Sequence, residues 1–329
     1  MRKIFAFITA VLAICSAVSA EAPGYKYLYT LTKDTDKIIS ASVLQDEAKF
    51  VLWEEGKLIY KDVFNEGDFW GKYMDFEPEN FGIRMLQDDG NVRLIKPATV
   101  SAICYNPGTK IAALLMNLNY ANSVISVCDM EKGRQIFTNL SKTHPPVPGR
   151  RFEAVVLEQI DLVPSLSEDA STVAYGVYTY MFEHHVEIVD IASGKISMIQ
   201  KAAFPVIWKG RVYYLDTTDQ AKKKFLIKTA ALDGTKQEKM IKIDFEPSML
   251  MLQRGVLYAV SGTKVYSLHI GMKKKFMETA DFTDLYGADD SPTVVRLFPV
   301  VHDSKEFMIF VVKITKDDKT QLKFYSKQL

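Results

Sequence analysis

The sequence predicts an all-β chain built from repeated antiparallel sheets, and three observations carry that expectation. Beyond residue 20 the chain is a succession of β-branched and aromatic runs, each four to eight residues long. Clusters of Gly, Asp, Asn, Ser and Lys separate them, as turns between short strands require. No stretch sustains the apolar spacing of 3.6 over ten or more residues that a helix needs. Finally, two segments repeat one another at a fixed offset of 61 residues.

The predicted strands follow in order: Ile38–Leu44, Phe50–Trp53, Lys57–Tyr60, Ile111–Met116, Val124–Cys128 and Val173–Tyr180. Val186–Val189, Arg211–Leu215, Val256–Val260, Phe307–Ile314 and Gln321–Tyr325 complete the set. In the repeat, Asn106-Pro107-Gly108-Thr109-Lys110 corresponds to Ser167-Glu168-Asp169-Ala170-Ser171, and the Asp129–Arg134 stretch corresponds to Asp190–Lys195. Two separate landmarks share the 61-residue offset, which marks a true repeat. Each unit reads as a strand, a turn, two further strands and an Asp-x-x-x-Gly-Lys/Arg hairpin. Weaker copies of the first turn stand at Asp46, Gly210, Gly255 and Ser304. The steps from Gly210 to Gly255 and from Gly255 to Ser304 are 45 and 49 residues, the length of one four-stranded blade. The 61-residue step then holds a blade and an insertion, placed at the proline-rich His144–Arg150 loop.

The Asn-Pro-Gly-Thr-Lys and Ser-Glu-Asp-Ala-Ser turns, with the hairpins at Asp129 and Asp190, resemble the repeats of TolB-like and WD-repeat-like β-propellers. The chain departs from true WD repeats in lacking their Gly-His and Trp-Asp pairs. The resemblance implies a propeller fold and a binding role, and it carries over no catalytic residue. From Asp46 to Ser304 is 258 residues, which at about 43 per blade gives seven four-stranded blades. Six is the alternative, because Asn65–Pro97 offers a single hairpin, at Asp88-Asp89-Gly90. The last repeat shows three strands, so the orphan strand Tyr25–Leu31 is expected to complete that blade and close the ring.

The N-terminus has the three parts of an export signal: Arg2 and Lys3, the uncharged stretch Ile4–Ile14, and small residues ending at Ala20. The apolar run is too short to span a bilayer. A lipoprotein reading at Cys15 is disfavoured by the bulk of Ile14 before it. Cleavage after Ala20 leaves a mature chain, residues 21–329, expected to form one propeller domain in the periplasm or outside the cell. Without Arg2 and Lys3 it carries 39 basic and 40 acidic residues, a balance that gives no field for nucleic acid or an anionic membrane. No transmembrane segment is expected in it. Its two cysteines, Cys104 and Cys128, fall on the first and third strands of one repeat. Two strand spacings of about 4.8 Å separate those strands, beyond disulfide reach.

A search for chemistry finds little. The five histidines show no metal-ligand spacing, and adjacent His184 and His185 project to opposite faces of a strand. No nucleophile elbow or phosphate-binding glycine motif occurs. The acid pairs at 54–55, 88–89, 168–169, 289–290 and 317–318 read as turn residues and lack the alternation of a calcium loop. Asn139-Leu140-Ser141 is a glycosylation sequon only in a eukaryotic source, and the export signal reads as bacterial. Aromatic clusters at Tyr175, Tyr178, Tyr180 and Phe182, and at Phe69, Trp70 and Tyr73, fit packing between blades best. Tyr178, Tyr180, His184 and His185 are the candidates for contact with a partner. No cofactor or metal is expected.

The reading is therefore an exported, non-catalytic propeller that binds a protein, peptide or glycan. A propeller enzyme with carboxylates assembled from several blades, and a structural envelope component, are the alternatives. The enzyme reading requires two carboxylates about 5–9 Å apart in a funnel.

Overall fold

The computed structural model describes residues 24–31, 42–44, 49–54, 57–64, 71–75, 83–86, 92–95, 99–119, 122–139, 158–179, 184–272, 274–286, 291–316 and 319–329. The export signal, the His144–Arg150 loop, Tyr180 and Phe182, and the 69–70 aromatics lie outside them. So do the acids at 55, 88–89, 289–290 and 317–318.

Strand β1 (Lys26–Leu31) opens the described chain, followed by β2 (Ser42–Leu44), β3 (Lys49–Glu54), β4 (Lys57–Asp62) and β5 (Gly71–Asp75). A ribbon of β6 (Ile83–Leu86) and β7 (Val92–Ile95) precedes β8 (Thr99–Asn106), β9 (Ile111–Asn119), β10 (Asn122–Asp129) and β11 (Arg134–Thr138). The next sheet is β12 (Glu158–Leu166), β13 (Thr172–Thr179), β14 (His184–Asp190) and β15 (Ile196–Gln200). It is followed by β16 (Ala202–Trp208), β17 (Arg211–Asp216), β18 (Phe225–Ala231) and β19 (Glu238–Ile243). Then come β20 (Met249–Gln253), β21 (Val256–Ser261), β22 (Lys264–His269) and β23 (Met277–Asp281), and last β24 (Thr293–His302), β25 (Lys305–Lys316) and β26 (Lys319–Gln328).

Sequential antiparallel pairing makes these strands four-stranded meanders, the blades of a β-propeller. Each predicted strand from Phe50 onward falls on an observed one, and the predicted Ile38–Leu44 is described only as β2. The expected count of seven blades, with six as the alternative, is not borne out: the propeller shows five blades of four strands. They are β8–β11, β12–β15, β16–β19, β20–β23, and β24–β26 with β1. The stretch that the spacing filled with further blades holds the four-stranded sheet β2–β5 and the two-stranded ribbon β6–β7. Strands β6 and β7, which flank residues 88–90, pair as a ribbon between sheets, so dividing chain length by a blade length overcounts.

The first turns of the repeats have a common cause. Lys209 and Gly210, Arg254 and Gly255, and Asp303 and Ser304 all take positive φ, the signature of two-residue type I′ hairpins whose twist matches the strands they join. Ser304, at φ 60°, stands where two other repeats have glycine. At Gly255 the tight turn also lies under a neighbouring blade: an added Cβ would sit 3.0 Å from the Trp208 ring.

Packing joins the sheets. Leu115, Ile125 and Val127 of one blade meet Val173, Tyr175 and Val189 of the next in a shared cluster. Farther round, Val186, Ile188 and Ile199 pack on Val212 and Tyr214. Tyr25, Phe282, Phe310 and Tyr325 form an aromatic cluster between the last two blades. The first strand of each blade is a sheet edge, and Pro164, Pro205 and Pro299 lie on three of these edges, where a missing N–H breaks no ladder.

The predicted closure is present: β1 pairs antiparallel with β26, Lys26 opposite Ser326 and Leu31 opposite Leu322. Tyr29 stacks on Phe324 with ring centroids 4.7 Å apart. Leu28, Tyr29 and Leu31 join a core with Val63, Phe298 and Ile309, linking the last blade to the turn after β4. Leu28→Ala is expected to destabilise the fold by about 2–4 kcal/mol, the cost of a core cavity. A urea titration measures this directly, and an unchanged midpoint would mean that β1 does not hold the ring.

Candidate functional site

The first strands of the five blades converge on a cavity of about 300 Å3. Ile103, Val206, Leu250, Met251, Leu252 and Phe298 supply much of its apolar wall. Exposed Pro107 and Glu168 mark its mouth. Residues between 103 and 298 meet here only because the fold stacks the blades about one axis.

Bulges shape this lining. The first strands are irregular at Val100/Ala102 in β8, Asp161/Ser165 in β12, Ala203/Val206 in β16 and Val294/Arg296 in β24. Such bulges release backbone groups from the ladder and redirect side chains. Ser165 Oγ accepts the Ile207 N–H at 2.9 Å, tying β12 to β16 across the lining. Asn106 fastens the mouth: its Oδ1 accepts the Thr109 N–H at 3.1 Å within its own turn, while Nδ2 donates to the carbonyl of Glu168 at 2.8 Å in the next. The two repeated turns of the sequence thus touch. Arg296 is the cation of the lining. Its Nη1 donates to the Val295 carbonyl at 2.8 Å and its Nη2 to the Ser101 carbonyl at 3.4 Å. Its buried Nε has no acceptor among the described residues. Burial pulls the guanidinium pKa down to about 10.

The residues singled out from sequence lie elsewhere. Tyr178 and His184 face each other across β13 and β14, with ring centroids 4.6 Å apart. His185 is buried, its Nε2 3.5 Å from Glu187 Oε1. Tyr175 donates to Glu187 Oε2 at 2.6 Å, so the buried carboxylate has a hydroxyl donor beside an imidazole. None of these side chains lines the cavity. Sequence reasoning passed over Arg296, although it is a lone charge in the apolar run Val294–Val301, and that isolation was the available signal.

The described acids of the repeated turns serve the backbone, as expected. Asp169 accepts hydrogen bonds from Ser167 Oγ, and from the N–H and Oγ of Ser171, at 2.7–3.0 Å. These donors, Ser167 first, hold its pKa down at about 2. Asp190 plays the same part toward Ser193, whose donors also lower its pKa. No group of three or more potential ligands able to hold a metal is found among the described residues. Cys104 and Cys128 are not in a disulfide and lie on the first and third strands of their blade. Burial drives the Cys128 thiol up to about 12. No helix among the described residues is long and apolar enough to cross a membrane.

No known protein-family profile matches the chain, and no curated protein sequence matches it. Solved structures do resemble it. A Trypanosoma rangeli sialidase, solved with the inhibitor DANA, superposes with a TM-score of 0.52 at 9% identity, over 93% of this chain and 60% of the sialidase. The WD40 domain of Toxoplasma gondii coronin gives a TM-score of 0.45 at 11% identity, over 92% of this chain and 85% of that domain. The chain spans 57–60% of the length of the sialidases that it matches. The likeness at this identity is one of fold: the protein is a β-propeller with a central cavity.

The Asp169 turn is testable by pH. A folded pKa of about 2 against about 3.9 unfolded makes its contribution complete above pH 4 and lost as the pH falls through 2. Asp169→Ala should cost no more than about 1 kcal/mol at pH 7, since the carboxylate is exposed. In thermal melts the gap from the parent protein should close near pH 2; a gap independent of pH would refute the turn's role.

Proposed function

We propose that this protein is an exported, non-catalytic β-propeller that binds a ligand in its central cavity. The observation that carries the reading is the cavity itself. Five edge strands from separate blades line it with apolar side chains interspersed with fixed polar groups, a mixture suited to holding and orienting a ligand. The clasp between Asn106 and the Glu168 turn fixes the mouth before any ligand arrives. The Asn106 and Asp169 turns, like those of TolB-like repeats, favour a binding role, in which loops and channel recognise a partner. A glycosidase of the two-carboxylate kind is the less supported reading, because among the described lining residues Glu168 alone bears a carboxylate.

Two experiments test the proposal. Filling the cavity with Met251→Trp should abolish the thermal shift given by compounds that stabilise the parent protein in a small-molecule and peptide screen. Hits that all survive this substitution would place binding elsewhere and defeat the reading. For export, N-terminal sequencing of the protein recovered outside the cytoplasm is expected to begin at Glu21. A chain that stays in the cytoplasm with Met1 intact would refute it.

A further inference from the structure

Arg296 is held in an unusual way. Both carbonyls that it uses, those of Val295 and Ser101, belong to the extra residues of two bulges, one in β24 and one in β8. The guanidinium therefore spans the lining between blades that are not neighbours in sequence. Those two bonds engage one hydrogen on each terminal nitrogen. An arginine carries five N–H donors, so among the described residues Nε and the second hydrogens of both terminal nitrogens are left without a carbonyl. No acidic side chain pairs with Arg296 among the described residues, and the one carboxylate of the lining, Glu168, stands exposed at the mouth. A half-buried cation whose Nε is shut from water without a counter-ion is costly, and a bound anion relieves that cost.

We propose that the cavity binds a small organic monocarboxylate, with the carboxylate on Arg296 and an apolar tail against Leu250, Leu252 and Phe298. The inference rests on the cavity being the binding site. The planar edge formed by Nε and a terminal nitrogen matches a carboxylate in the two-bond mode. The single cation of the lining balances one negative charge, and Glu168 disfavours a second. The cavity, at about 300 Å3, has room for a ligand at the small end of the usual range.

The test is isothermal titration of the mature protein with acetate, hexanoate, benzoate and 4-phenylbutyrate, each against its primary amide, and with inorganic phosphate. At least one acid should bind about tenfold or more tightly than its amide, the worth of a lost charge-assisted hydrogen bond. Arg296→Gln should remove that preference, and Arg296→Lys should restore part of it. If the variants fail to fold, the acid-against-amide comparison on the parent protein still decides. Amides that bind as well as acids, yet are lost in Met251→Trp, would overturn the role of Arg296 and leave the cavity reading intact. Phosphate binding tighter than every acid would overturn the carboxylate assignment. No binding by any acid would overturn the inference, and the screen with Met251→Trp then reports separately on the cavity.

Discussion

The pairing of β1 with β26 is the constraint on which the rest of this structure depends. Each blade buries a face against the next, so an open array would leave apolar faces at both ends. The last blade is supplied by the two termini of the chain, with Tyr27 opposite Tyr325. Once β1 is in place, Leu28 and Tyr29 fill the core beneath the turn after β4, and the aromatic cluster around Phe282 and Phe310 is complete. The inner strands are then fixed around one axis. The cavity is a by-product of that closure, because five edges held about an axis cannot all meet at its centre.

Much of this was legible in the sequence because turns and strands are local. The positive-φ hairpins at Gly210, Gly255 and Ser304 had readable residue chemistry, and the 61-residue offset joined two turns that prove to be in contact through Asn106. The closing strand was legible as an orphan next to an incomplete last repeat. Blade number was not, since it depends on how the stretch between Asn65 and Pro97 is used. One hairpin signal cannot distinguish a ribbon from part of a blade. The cavity was also hidden, as its lining comes from five distant segments, four of them bulged. A bulge shifts register by one residue and leaves no mark in an apolar run.

Two buried polar systems contrast in the finished molecule. Between blades, the Glu187 carboxylate has Tyr175 as donor and His185 at 3.5 Å, so its partners come from the protein. That arrangement fits a structural tie. At the centre, Arg296 is anchored by two carbonyls that carry no full charge. The first system sets its carboxylate against a hydroxyl donor and an imidazole, while the second leaves the Arg296 Nε donor without an acceptor among the described residues, beside open space. Aromatic and histidine clusters drew notice in the sequence because they are conspicuous, yet the less conspicuous lone arginine lies where the blades converge.

The prolines of the inner strands have a consequence for the manner of recognition. An unprotected sheet edge invites a guest chain to extend the sheet, gripping it through main-chain hydrogen bonds whatever its side chains. Pro164, Pro205 and Pro299 remove donors from three of the edges around the cavity, and the bulges distort the ladder on four. Strand addition is therefore hindered on four of the five edges that gather here, and β20 alone keeps a regular edge without proline. Whatever enters must be recognised group by group, through shape and a few fixed polar contacts, and the same feature guards the molecule against self-association through its own core.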